Sequence, residues 1–373
     1  MARRTLVFVA LAVLAWIRPF SRTSHAQSDA AASPQSDAPS GGTWSFAVSG
    51  DSRNCGDVVM PAIAAGVRHS GASFYWHLGD LRAIYTFDED MQHEPEHAAK
   101  PMNISDYLTS AWDDFIQNQL MPFGTLPVFL AIGNHDTIPP VTREAFIIQF
   151  ADWLDSPVLR KQRLNDDGYD RKLKTYYHWL EGGVDFISLD NATPDQFSAA
   201  QVTWFEKVLQ ADSSNPQIRA VVVGMHEALP YSLSENHSMN QSAVGVESGL
   251  RVYADLLKAQ NDAHKHVYVL ASHSHYFMDG AFNTDYWHAH GGVLPGWIVG
   301  TAGAVRYRLP PEQNQARAAE TDVYGFLLGL AQPNGEIEFT YKHLGETDVP
   351  VPVAERFTPQ FVHWCFAENS QTH

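Results

Sequence analysis

Residues 127–136 read PVFLAIGNHD, and the fold turns on how this stretch is read. The apolar run between Pro127 and Gly133 has the length and composition of a buried strand. It ends in Asn134, His135 and Asp136, side chains that offer lone pairs and protons and no packing surface. The same layout recurs on either side. Residues 44–50 and 73–79 are apolar runs that end at Asp51 and Asp80. Residues 218–224 lead into Met225 and His226, and residues 266–271 into Ser272, His273, Ser274 and His275. One Gly-Asp pair is ordinary turn chemistry. Five strand ends, each closing on a polar cluster, form a pattern, because ligand sites of α/β sheets lie beyond the carboxyl ends of the strands.

Helical spacing fills the gaps. Residues 105–120 place Tyr107, Leu108, Trp112, Phe115 and Ile116 on one side, and residues 142–154 and 248–260 are also expected to be helical. Asp57 is expected to cap a helix through Arg68, and Ser198 one through Leu209. Gly182-Gly183 and Asn334-Gly335 each separate two strand-like runs, as in hairpins. Helices between strands, with hairpins in the second half, predict an α/β sandwich in four layers: two mixed β-sheets flanked by helices. A doubly wound single sheet is the alternative.

The chain ends have their own character. Arg3 and Arg4 precede the apolar run 5–17, and Ser24-His25-Ala26 offers small residues for cleavage, so residues 1–26 are expected to be a signal peptide. Whether Arg3-Arg4 marks a twin-arginine signal or an ordinary basic start stays open. Residues 27–42 read as a flexible linker, 43–345 as the folded domain and 346–373 as a C-terminal extension. The expected location is secreted or periplasmic, where Cys55 and Cys365 are free to pair. With 25 Lys and Arg against 42 Asp and Glu, nucleic acid and anionic membrane are poor partners. No run after the signal is long and apolar enough to span a bilayer.

Asp51, Asp80, Asn134, His226, His273 and His275 combine two carboxylates, an amide oxygen and three imidazoles, a donor set suited to Mn, Fe or Zn. Six ligands exceed one tetrahedral ion and suit two cations, divalent or di-/trivalent, that share a carboxylate.

The motifs Ser49-Gly50-Asp51, Gly79-Asp80, Gly133-Asn134-His135-Asp136, Val223-Gly224-Met225-His226 and Ser272-His273-Ser274-His275 resemble those of the calcineurin-like metallophosphoesterases, and of purple acid phosphatases among them. The resemblance covers about residues 44–345. It implies an exported dimetal hydrolase acting on a small phosphomonoester or phosphodiester by attack of a metal-bound hydroxide. In that scheme Asp80 bridges both ions, Asp51 and His275 complete the first site, and Asn134, His226 and His273 complete the second. His135 protonates the leaving alkoxide and Asp136 orients it.

Two positions depart from the family pattern. Arg53 stands where a metal-binding His is common, and Ala83 where the acid phosphatases carry a Tyr. Tyr85, Asn54, Cys55 or water is left as fourth donor of the first site. Arg53 is permanently charged, so it suits a substrate phosphate and not a cation; the alternative is that it pairs with an acid and points away. A second functional reading is a binding protein on the same fold whose first site is impaired.

His93-Glu94-Pro95-Glu96-His97 matches H-E-x-x-H, but Pro95 breaks the helical turn a zinc protease needs, so a solvated acidic loop is expected. His288 and His290 read as loop histidines, His69, His77 and His178 as structural, and His237 as a minor candidate.

Overall fold

The computed structural model describes residues 42–97, 100–193 and 195–371. The expected signal peptide and all but the last residue of the linker lie outside them. Alternation along the strands sorts apolar side chains to two faces. In β1 (Trp44–Ser49), Phe46 and Val48 face one core and Ala47 another. The full set continues with β2 (Tyr75–His77), β3 (Val128–Leu130), β4 (Tyr177–Glu181), β5 (Val184–Ser188) and β6 (Ala220–Gly224). It ends with β7 (His266–Ala271), β8 (Phe277–Asp279), β9 (Gly296–Val299), β10 (Ala318–Glu320), β11 (Tyr324–Ala331) and β12 (Ile337–Leu344).

Two mixed sheets result. One runs β12-β11-β1-β2-β3 and the other β10-β8-β9-β7-β6-β5-β4. β1, β2 and β3 are parallel, as are β5, β6, β7 and β9. The central core lies between the sheets, where Phe46, Trp76 and Leu78 meet Trp179, Phe186, Val222 and Leu270. Outside the second sheet, Val221, Val223 and Val269 pack against Phe205 and Tyr253 of the helices Ala199–Ser214 and Ala243–Asn261. Outside the first, Ala47 and Tyr75 pack against Val58 and Ile63 of the helix Gly56–Ser70 and Phe361 of the helix Val351–Ala367. This is the four-layer sandwich expected, and the single-sheet alternative falls.

Local expectations fare unevenly. Ser198 caps its helix by accepting from the Gln201 amide. Asp57 does not cap: Cys55 holds the cap position and Asp57 is buried one residue inside, bonded by Arg82 and Gln119. The helix Ala243–Asn261 begins ahead of the expected 248, because Ser242 caps it through the Gly245 amide. Cys55 and Cys365 are bridged, so Cys55 drops out as a donor to a cation. Residues 93–97 are largely solvated, as expected, with His93, Pro95 and Glu96 exposed, but the segment is anchored: Arg356 clasps Glu94 through both carboxylate oxygens, and His93 stacks on Phe361. Among the described residues, no helix is long and apolar enough to cross a membrane.

Candidate metal centre

All five polar strand ends converge. The loop after β1 carries Asp51, whose amide donates to Gly79 O at 3.0 Å, and Ser52 N donates to Asp80 O at 3.1 Å. The two aspartate loops are thus stitched together by backbone. The two sheets meet at Gly50, where a Cβ would stand 2.7 Å from that of Ser272. At Gly133 a Cβ would stand 2.2 Å from Asp80 Oδ1, so only glycine leaves room for that carboxylate. Asp51, Asp80 and His273 all take the left-handed backbone region, with φ of 61°, 60° and 66°. Such strain is kept where surrounding structure enforces it and is concentrated at working sites.

Two groups of ligand atoms form, each with atoms within 4.8 Å of one another: Asp80, His226 and His273, and Asp51, Asp80 and His275. Asp80 belongs to both. Its Oδ1 accepts from His135 N at 2.9 Å and lies 3.3 Å from His226 Nε2. His226 donates from Nδ1 toward Leu78 O, 3.0 Å away, which turns Nε2 inward. That nitrogen faces Asn134 Oδ1 at 2.9 Å and His273 Nδ1 at 3.0 Å. One cation satisfies this ring of lone-pair atoms together. Asp51 Oδ1 and Asp80 Oδ2 are buried and find no hydrogen-bond donor among the described residues. Orphaned buried carboxylate oxygens are costly, and a bound cation is their ordinary remedy. The residues therefore fit a metal centre.

The carboxylates dominate the electrostatics of the cluster. Burial disfavours the charged form of His226, yet the Asp80 and Asp51 carboxylates outweigh it and push its pKa up to about 10. Asp80 is held well below the usual carboxylate range: burial opposes this, but His226, His135 and Arg53 prevail. Burial and the neighbouring His226 drive His273 well below the ordinary imidazole value.

Arg53 points into the site and not away. Its Nη2 is 3.0 Å from His275 Nε2, its Nε 3.8 Å from Asp80 Oδ2, and its Nη1 meets both ring nitrogens of His135. His135 stands at the edge of the cluster, with Nε2 3.7 Å from Asp80 Oδ2. Asp136 does not orient it. The Asp136 carboxylate is taken by the backbone amides of Gly133, Asp80 and Leu81, where it shapes the turn that aims Asp80. His135 is aligned by the Ala83 carbonyl, 2.7 Å from Nδ1.

Besides Tyr85, which the sequence offers as a fourth donor, and His237, a minor candidate there, the site has a further neighbour in Tyr307. Tyr307 stacks on His275 at 3.9 Å between ring centroids. His237 lies 5.1 Å from Tyr307 and 5.3 Å from His273. Tyr85, 59% exposed, has its ring centroid 4.9 Å from that of His135. Tyr307 sits in an irregular segment with no strand-end signature, so nothing in the sequence marks it. His77 and His178 are structural as expected. His77 is fully buried and accepts from the Gly79 amide, and His178 is held between Asp166 and Asp185.

No protein-family model matches the sequence, and no curated protein matches it. Among solved structures, a purple acid phosphatase from yellow lupin (Lupinus luteus) seeds superposes with a TM-score of 0.54 at 14% identity, over 81% of this chain and 52% of that one. The chain thus spans about half the length of that phosphatase. GAP50, the anchor in the inner membrane complex of Plasmodium, superposes with a TM-score of 0.51 at 11% identity, over 81% of this chain and 84% of that one. The chain thus shares the fold of a purple acid phosphatase, as expected from the motifs.

Proposed function

We propose that the chain is an exported, metal-dependent hydrolase of phosphate esters. The observation that carries this is the shared carboxylate: Asp80 belongs to two buried ligand groups at the strand ends and keeps an orphaned oxygen. Asp51, Asp80 and His275 would hold one cation, and Asp80, Asn134, His226 and His273 a second, with Mn, Fe or Zn suited to the donors. When bound, such ions supply Lewis acidity toward a phosphoryl group and toward water. Arg53 then offers parallel N–H groups to the phosphate oxygens. His135, its ring fixed by Ala83 O, gives a proton to the leaving alkoxide from Nε2. Export is supported by the basic-apolar start of the sequence and by the Cys55–Cys365 bridge.

GAP50, named as an anchor, supports a second reading, a binding protein on the same fold. Turnover separates the two. The protein loaded with Mn, Fe or Zn is expected to hydrolyse members of a panel of phosphomonoesters and phosphodiesters. His135→Ala should lower kcat by ~10²–10⁴-fold with metal content retained, and less for good leaving groups such as nitrophenolate. Absence of turnover across the whole panel would leave the binding reading standing.

A further inference from the structure

Arg53 is only 8% exposed. His275 Nδ1 lies 2.6 Å from the Val305 carbonyl, so that nitrogen carries the proton and Nε2 keeps a single in-plane lone pair. Arg53 Nη2, at 3.0 Å, donates to that lone pair. Its Nε stands 3.8 Å from the orphaned Asp80 Oδ2, and Nη2 also donates to the Tyr307 hydroxyl at 3.4 Å. The guanidinium therefore rests on two of the three side chains of the Asp51–Asp80–His275 group. Among the described residues, none of its hydrogen bonds or ion pairs goes to Asn134, His226 or His273. The two ligand groups are unequal.

One lone pair cannot serve an N–H and a cation together, and the fixed positive charge of Arg53 repels a cation beside it. We propose that Arg53 makes the first cation's place conditional on phosphate. Without phosphate, the guanidinium holds His275, and only the Asp80–Asn134–His226–His273 group takes an ion. A phosphate dianion draws the guanidinium's N–H groups onto its own oxygens, frees His275 Nε2 and offsets the charge. The first cation and phosphate then bind cooperatively, each strengthening the other by the same factor. The proposal rests on the reading of these residues as cation ligands, but not on turnover.

The test is equilibrium dialysis of the purified full chain against Mn²⁺, with and without inorganic phosphate, counting ions per chain. Wild type is expected to hold one Mn²⁺ without phosphate and two with it. Arg53→Ala should hold two in both conditions, its second Mn²⁺ tighter than in phosphate-free wild type by on the order of 5–150-fold. Arg53→Met, which keeps the bulk and removes the charge, should match Arg53→Ala; circular dichroism checks that both fold. Two ions in phosphate-free wild type, or one ion despite phosphate, overturns the proposal. So does an Arg53→Met protein that still holds a single ion. No Mn²⁺ in any chain would remove the cation reading as well, whereas normal counts without turnover would strike only the hydrolase reading.

Discussion

Asp80 shows how much one side chain is asked to do. Its backbone is left-handed, its Oδ1 accepts the His135 amide, and its Oδ2 lies buried without a donor. His226, His135 and Arg53 offset part of its buried charge, and a cation would complete the site, since a buried carboxylate oxygen without a donor is costly. Asp80→Ala should therefore strip more metal than Ala at any other ligand, because both groups share it. Elemental analysis that found near-full occupancy in this variant would disprove the bridging role. Asp136 illustrates a different lesson. Adjacent to His135 in sequence, it was expected to orient that ring, but the turn directs its carboxylate back onto three amides. Sequence adjacency on a tight turn says little about direction.

Among the elements, the C-terminal helix Val351–Ala367 is tied to the metal edge at two points. Cys365 bridges to Cys55, two residues after Arg53, and Asn369 O accepts from the Arg306 amide, between Val305 and Tyr307. Replacing both cysteines by Ala should cost about 2–5 kcal/mol in denaturant unfolding. Thiol titration of the unreduced, denatured wild type should find none; two thiols would refute the bond. On the opposite side, His178 of β4 joins Asp185 of β5 to Asp166 of the helix Pro157–Asp166, at 2.7 and 2.8 Å. Burial opposes its charge, but the two carboxylates raise its pKa from the ordinary 6.5 to about 10. A group raised on folding stabilises fully below its unfolded value and loses that contribution as pH climbs through the folded one. His178→Ala is thus expected to cost about 3–5 kcal/mol at neutral pH, less as pH approaches 10. Urea titrations at pH 7 and 9.5 measure this, and a constant difference would contradict the ion-pair account.

At the scale of the whole molecule, the centre joins both sheets: Asp51, Asp80 and Asn134 come from the first, His226, His273 and His275 from the second. A ligand held by both halves binds the folded state alone, so it stabilises by mass action. At free metal about 100-fold above the dissociation constant, each independent ion adds about 2.7 kcal/mol. Chelator treatment should then lower Tm by several degrees, reversed by adding metal back. A Tm indifferent to chelation in a protein shown to release its ions would mean that the ions do not brace the two sheets.

The layered architecture and the six polar residues that gather at the strand ends were legible in the sequence because both depend on local patterns. Apolar runs report buried strands, and polar residues just past them mark sheet edges whatever the rest of the chain does. The direction of a side chain across a loop has no such local signature. The sequence allows Arg53 two directions, toward a phosphate or toward an acid, and only tertiary structure sets its guanidinium between His135, His275 and Asp80. The rim of Tyr307 and His237 is likewise a product of assembly. These residues come from segments without periodicity and meet His275 and His273 only because the second sheet brings them together. The pairing of Cys55 with Cys365, 310 residues apart in sequence, was permitted by the sequence but decided by the docking of the last helix against the first. Strand periodicity is a short-range property of the chain, whereas these contacts exist only once the sheets have packed.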